Sequence, residues 1–217
     1  MKKVGLILFL MTVGIASSYA QLTVKPAMDI YSSYIWRGSQ LGQGPAFQPS
    51  VVASVSNLSI GVWGSFDASG YKEADLYATY ALPFGLTLIA TDYYFPGLKY
   101  FDYSDTSGSH AFEAGLSYTL FEKLTLSGYY IFNKAGGAAS KGEDTYVEAS
   151  YAFTPLTVIV GAGNGWHTSD GKFNVCHIGL KSTKEIKVTD SFSIPVTGSV
   201  IFNPEREQLY VVVGLSF

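Results

Sequence analysis

Beyond its first twenty residues the chain alternates. Short segments set apolar and polar side chains on opposite sides with a period of two, and turn residues separate them. In 58–67 one side carries Leu58, Ile60, Val62, Gly64 and Phe66, and the other Ser59, Gly61, Trp63, Ser65 and Asp67. In 112–120 one side is Phe112, Ala114, Leu116, Tyr118 and Leu120, and the other Glu113, Gly115, Ser117 and Thr119. Successive side chains of a strand point to opposite faces, so this is the strand period. It predicts about twelve strands, over 26–37, 45–56, 57–67, 73–82, 85–95, 109–120, 123–133, 144–153, 155–163, 173–183, 191–203 and 206–217.

The predicted connections differ in length at the two ends. Ser56-Asn57, Pro83-Phe84, Phe121-Glu122 and Thr154-Pro155 are tight turns, and the turn near 184–190 is longer. At the other end 38–44, 96–108, 134–143 and 164–172 are long and polar or glycine-rich, while 68–72 and 204–205 are short. This asymmetry predicts an all-β fold, an antiparallel up-and-down barrel that crosses a membrane.

Period two does not say which face points outward; the strand ends do. Tyr80, Phe84, Tyr118, Phe121, Tyr151, Phe153, Phe192 and Phe217 gather at the tight-turn end. Tyr34, Trp36, Phe47, Phe66, Phe112, Tyr130, Phe132 and Phe202 gather at the loop end. Between them the apolar face is aliphatic, as at Val51, Val62, Leu76, Val158, Val196 and Val213. Two aromatic girdles around an aliphatic band fit a barrel anchored in lipid. The opposite face carries Asp29, Arg37, Gln48, Asp67, Asp75, Glu113, Glu148, His177 and Lys181. Ionised groups suit a wet lumen and not a dry core.

The first twenty residues read differently. Lys2 and Lys3 precede an apolar run over 4–15, and Ser18-Tyr19-Ala20 offers small residues to a signal peptidase. The expected division is therefore a signal peptide over 1–20 and one barrel domain over 21–217. At the other end Leu209, Val211, Val213, Leu215 and Phe217 alternate and finish on an aromatic, the kind of signal that barrel-assembly machinery reads. The expected location is the outer membrane of a Gram-negative bacterium, with outer-membrane lipid as the surrounding partner.

Composition adds exclusions. Only 14% of residues are charged, 15% are aromatic and the mean hydropathy is +0.19. A net charge of −3 gives no basis for a nucleic-acid partner. With one cysteine, Cys176, no internal disulfide can form.

One segment is more specific. Tyr31-Ser32-Ser33-Tyr34-Ile35-Trp36-Arg37-Gly38, Gly44-Pro45-Ala46 and Gly61-Val62-Trp63-Gly64-Ser65 resemble the N-terminal motif of the Gcw_chp family, the TorF-like porins. Pro195-Val196 and the closing Val211–Phe217 are also similar. The resemblance is firm over residues 29–67 and loose elsewhere. It implies an outer-membrane barrel with a porin label and brings no catalytic residues.

Candidate chemistry follows from the lumen face. Arg37 and Asp67, expected at similar height near the outer rim, form either a charged constriction or a brace. Asp29, Asp67, Asp75, Glu113 and Glu148 outnumber Arg37, Lys181 and His177, so an open pore is expected to prefer cations weakly. Tyr31, Trp63, Tyr77, Tyr129, Tyr146 and Tyr210 either form a stacking track or fill a narrow barrel. Ser150 or Ser199 facing His177 would make a hydrolase-like pair. Cys176, next to His177 on a strand, is expected to face lipid, which leaves no metal site. Asp92 falls on the apolar face, so a bulge near 90–92 or a place above the bilayer is expected, and Pro49 and Pro195 predict bulges of their own. The leading expectation is a narrow passive channel for small hydrophilic solutes, with no cofactor and no enzymatic activity. The alternatives are a non-conducting structural or partner-binding barrel and, third, a lipid-modifying enzyme. Tyr100, Phe101 and Tyr103 in the loop 96–108 suit a plug or a partner surface.

Overall fold

A computed structural model describes residues 21–217; the segment read as a signal peptide lies outside the described residues. Twelve strands close into one antiparallel barrel. They are β1 (Thr23–Tyr31), β4 (Ala46–Val55), β5 (Leu58–Asp67), β6 (Lys72–Ala81), β7 (Leu86–Tyr94), β8 (His110–Leu120), β9 (Leu124–Ile131), β10 (Asp144–Phe153), β11 (Leu156–Gly163), β12 (Asn174–Lys187), β13 (Ser193–Asn203) and β14 (Gln208–Ser216). A separate hairpin, β2 (Tyr34–Trp36) and β3 (Ser39–Leu41), lies outside the barrel sheet. Each barrel strand pairs with its chain neighbour, and β1 closes the ring on β14 at Asp29↔Ser216, Ile30↔Leu215 and Tyr31↔Gly214. The last residue extends that seam, since Met28 and Phe217 exchange both backbone hydrogen bonds at 3.1 and 2.9 Å.

The apolar side of each strand points outward. Val51, Ile60, Val62, Leu76, Leu116, Leu126, Val160, Leu180 and Val213 are all exposed around the barrel wall. At the tight-turn end Phe84 is 91% and Phe121 88% exposed. A continuous apolar belt on a sheet with no free edge is what lipid accommodates and water does not. The fold is therefore a transmembrane barrel, with β-turns at one end and loops at the other. The tight turns rest on left-handed backbone at Ser56 and at Phe121-Glu122, with φ of 52°, 52° and 58°.

Three expectations need correction, and of the two alternatives for Asp92 the bulge falls. The first strand ends at Tyr31 and does not run to Arg37; Tyr34 and Trp36 fold inside the barrel and leave the outer girdle. No bulge forms at Pro49 or Pro195, where the register runs through Met28↔Pro49 and Glu185↔Pro195 unbroken. Proline lacks only its own N–H, and the ladder accommodates this. Pro49 falls where the β4–β5 pairing is interrupted without slipping, and Pro195 precedes the first β13–β14 pair, Val196↔Leu215. Asp92 stays outward with no bulge, pairing in register with Leu76 and Phe112. Its charge is answered locally, by His110 Nδ1 at 2.8 Å. The register shift lies instead between Gly161 and Ala162, opposite His177 and Val175. The extra residue there is Cys176, which is fully buried. A bulge breaks the alternation of side chains, so Cys176 does not face lipid.

Candidate functional site in the barrel lumen

After Tyr31 the chain leaves the wall. Ser32 holds the departure point, its N–H donating to the Val213 carbonyl at 2.8 Å and its Oγ accepting from the Val213 N–H at 3.0 Å. The β2–β3 hairpin then turns through Arg37 (φ 49°) and Gly38 (φ 84°). Two successive positive φ values make the I′ type of turn that suits a two-residue hairpin. Glycine is required at the tip: a Cβ on Gly38 would lie 1.9 Å from the Cys176 carbonyl oxygen on β12. Asn203 on β13, fully buried, donates from Nδ2 to the Gly38 carbonyl at 3.0 Å. The hairpin therefore crosses the lumen.

Arg37 anchors it on the far wall. Its guanidinium donates to both carboxylate oxygens of Glu113 on β8, at 2.6 and 2.9 Å. Tyr93 on β7 donates its hydroxyl to the same carboxylate at 2.9 Å. The cation also lies 4.5, 4.2 and 4.7 Å from the ring centres of Trp36, Tyr129 and Tyr146. The side chains are 10% and 2% exposed, so this is a buried bidentate pair. Burial pulls the Arg37 pKa down, but the bonds to Glu113 outweigh it and the net shift is upward.

Loops complete the closure from above. Trp166, in the β11–β12 loop, packs edge-on against Trp36 and Tyr93 at 6.0 and 5.8 Å. Its Nε1 donates to the Ala139 carbonyl at 2.9 Å. Ala135 and Ala138 join Tyr93, Ala111 and Ile131 in a small apolar core. Loop 96–108 lies over the same segment, its Gly108 carbonyl accepting from the Ala138 N–H at 3.0 Å. His167 sits 5.0 Å from both the Trp36 and Tyr146 rings, and neither ring nitrogen has a hydrogen-bond partner. Burial, then the Arg37 charge, push its pKa down to about 3. The hairpin and loops thus occupy much of the outer half of the lumen and leave a cavity of about 380 Å³ between Trp36, Tyr71, Glu73, Phe95 and Trp166.

The lower lumen has a mixed lining. Beneath the hairpin is a cavity of about 230 Å³ that sets Gln48, His177, Lys181, Thr197 and Ser199 beside Tyr31, Ile35, Ile159, Ile201 and Val212. A larger space of about 550 Å³ follows toward the tight-turn end. Four lumen tyrosines lie against glycines of a neighbouring strand: Tyr31 on Gly214, Tyr77 on Gly61, Tyr129 on Gly115 and Tyr146 on Gly161. A glycine in a strand leaves room for such close approach, so these rings fill and brace the wall.

Of the residues singled out from sequence, two groups come together. Arg37 meets Glu113. Glu148 and His177 meet at Tyr146, whose hydroxyl donates to Glu148 at 2.7 Å and lies 3.1 Å from His177 Nδ1. Asp29 faces the lumen beside the seam, and Asp75 is buried on the β6 wall. Lys181 projects into the lower lumen and makes no ion pair among the described residues. Asp67 does not join Arg37. It accepts from the backbone N–H groups of Gln43, Ser69 and Tyr71 at 2.8, 2.9 and 3.0 Å, tying down a turn at the rim. Tyr146 and Glu148, and neither Ser150 nor Ser199, are the hydrogen-bond and ion-pair partners of His177. Sequence reading missed Glu73, which is 2% exposed and accepts from Tyr71 at 2.6 Å. Its spacing of two from Asp75 was the available signal. Tyr93, Trp166 and His167 were also missed as lumen residues, and for the two loop residues no periodic signal exists.

Fold and lumen together define a membrane-spanning barrel whose lumen is crossed by its own first hairpin. No family model matches the chain, and no curated protein matches it. Solved structures similar to it include a double mutant of Rh. blastica porin, at 16% identity and a TM-score of 0.44, over 79% of this chain and 55% of that one. A triple mutant of Rhodopseudomonas blastica porin aligns at 16% identity and a TM-score of 0.42, over 86% and 61%. The chain spans little more than half the length of the porin chains it matches.

Proposed function

We propose that the protein is a narrow passive channel of the bacterial outer membrane for small hydrophilic solutes, with the β2–β3 hairpin as its gate. The observation that carries this reading is the anchoring of the hairpin. Two polar contacts hold it across the lumen, the Arg37–Glu113 ion pair and the Asn203 side-chain bond to the Gly38 carbonyl, beside the aromatic packing of Tyr34 on Trp63 and of Trp36 on Tyr93 and Trp166. The two polar contacts can be exchanged for water when the hairpin swings out, and the contacts of Trp36 with Tyr93 and Trp166 must part with them. The resemblance of residues 29–67 to the Gcw_chp porins belongs to the same reading, and that segment includes the gate. On this account Phe217 serves the barrel-assembly machinery and also the seam with Met28.

Liposome swelling tests it. Vesicles containing the folded barrel should admit glycerol and small sugars slowly, and Arg37→Ala should speed this several-fold while excluding larger oligosaccharides. A folded protein that admits nothing, with or without the substitution, would favour a second reading, a non-conducting structural or partner-binding barrel. The packing of loops 96–108, 134–143 and 164–172 over the mouth is the observation on that side.

A further inference from the structure

The lumen as a whole is acidic, yet the cavity beneath the hairpin is not. No Asp or Glu lines it, whereas Lys181 does, together with His177, Ser199, Gln48 and Tyr31. Lys181 has no carboxylate partner among the described residues, and it lines both this cavity and the larger space below, where Glu148 is the one carboxylate on the lining and is turned to Tyr146 and His177. His177 is nine-tenths buried, and its Nε2 has no hydrogen-bond partner. The tautomer follows from its neighbours. The Tyr146 hydroxyl already donates to Glu148, so the tyrosine oxygen accepts from His177, and Nδ1 carries the proton. Nε2, on the other side of the ring, is left without a partner, and a buried polar atom left so is costly.

We infer that this cavity is a binding site for a small hydroxylated carboxylate. The carboxylate lies against the Lys181 ammonium, and a ligand hydroxyl, which can donate or accept, pairs with His177 Nε2, with Ser199 and Gln48 on the same wall. The volume of about 230 Å³ exceeds the roughly 150 Å³ that holds a benzene ring, so a hydroxy acid of three or four carbons fits. The site rests on the wetted lower lumen that the channel reading also needs, but not on conduction.

Calorimetric titration of the folded barrel in detergent tests it, with glycerate as ligand and glycerol and acetate as controls. Glycerate should bind at least tenfold more tightly than either. Lys181→Gln should remove that tenfold, and His177→Phe should weaken glycerate while leaving acetate unchanged. Heat-modifiable gel mobility checks that each variant is folded, and if His177→Phe fails to fold, Lys181→Gln decides alone. Glycerate binding no tighter than glycerol, or equally well to Lys181→Gln, overturns the site. A barrel that binds glycerate and never conducts keeps the site and loses the channel; one that conducts without binding loses only the site.

Discussion

At the scale of single residues, the proposed gate rests on two. Arg37 and Glu113 are buried together, and removing one partner of such a pair costs about 3–5 kcal/mol because the other charge is left uncompensated. Arg37→Ala should therefore release the hairpin more than Glu113→Gln, which keeps an acceptor for one guanidinium hydrogen. Protection of the 34–41 amides from hydrogen exchange orders the two. Gly38→Ala attacks the same hairpin sterically, through its left-handed backbone and the Cys176 carbonyl, and should lower protection there while the barrel wall keeps its own. Sequence gave both partners of the ion pair as lumen residues, because parity along β8 and the end of the first segment puts them there. It did not bring them together, since that needs Ser32 to turn the chain inward, and alternation carries no sign of such a turn. Asp67 looked equivalent to Arg37 by parity and height; its backbone bonds at the rim decided otherwise.

At the scale of elements, the barrel strands were legible and the loops were not. Period two survives in every strand that has lipid on one side and the lumen on the other, and it fails at Cys176, where a bulge inserts a residue. The β11–β12 loop has no period at all, yet it delivers Trp166 and His167 into the plug. His167 carries a pH consequence. Its pKa is about 3 when docked and about 6.5 when free. Protons therefore favour the undocked loop, so docking is complete above about pH 6.5 and weakens as pH falls toward 3. Hydrogen exchange at 165–167 should rise on acidification, and His167→Phe should abolish that rise. Equal exchange at pH 4 and pH 7 in the unmodified protein contradicts this. The seam is the other weak element. β1 pairs with β4 at nine positions but with β14 at three, so on heating its amides should exchange ahead of those in β12 and β13.

At the scale of the whole molecule, a lipid-facing belt surrounds a lumen that the first hairpin crosses. The belt was readable from the two aromatic girdles, and their inner members Phe84 and Phe121 are where the sequence put them. The acidic balance of the lumen grows once Glu73 is added to Asp75, Glu113 and Glu148. An opened channel should accordingly favour potassium over chloride in a salt gradient, while the Lys181 cavity remains a local exception. The most direct test of the gate is single-channel recording in a planar bilayer, comparing the unmodified protein with Arg37→Ala. The unmodified barrel should stay mostly closed with brief openings, and the variant should conduct in steady, discrete steps. A folded Arg37→Ala barrel as silent as its parent would contradict the account, because the hairpin would then not be what closes the lumen.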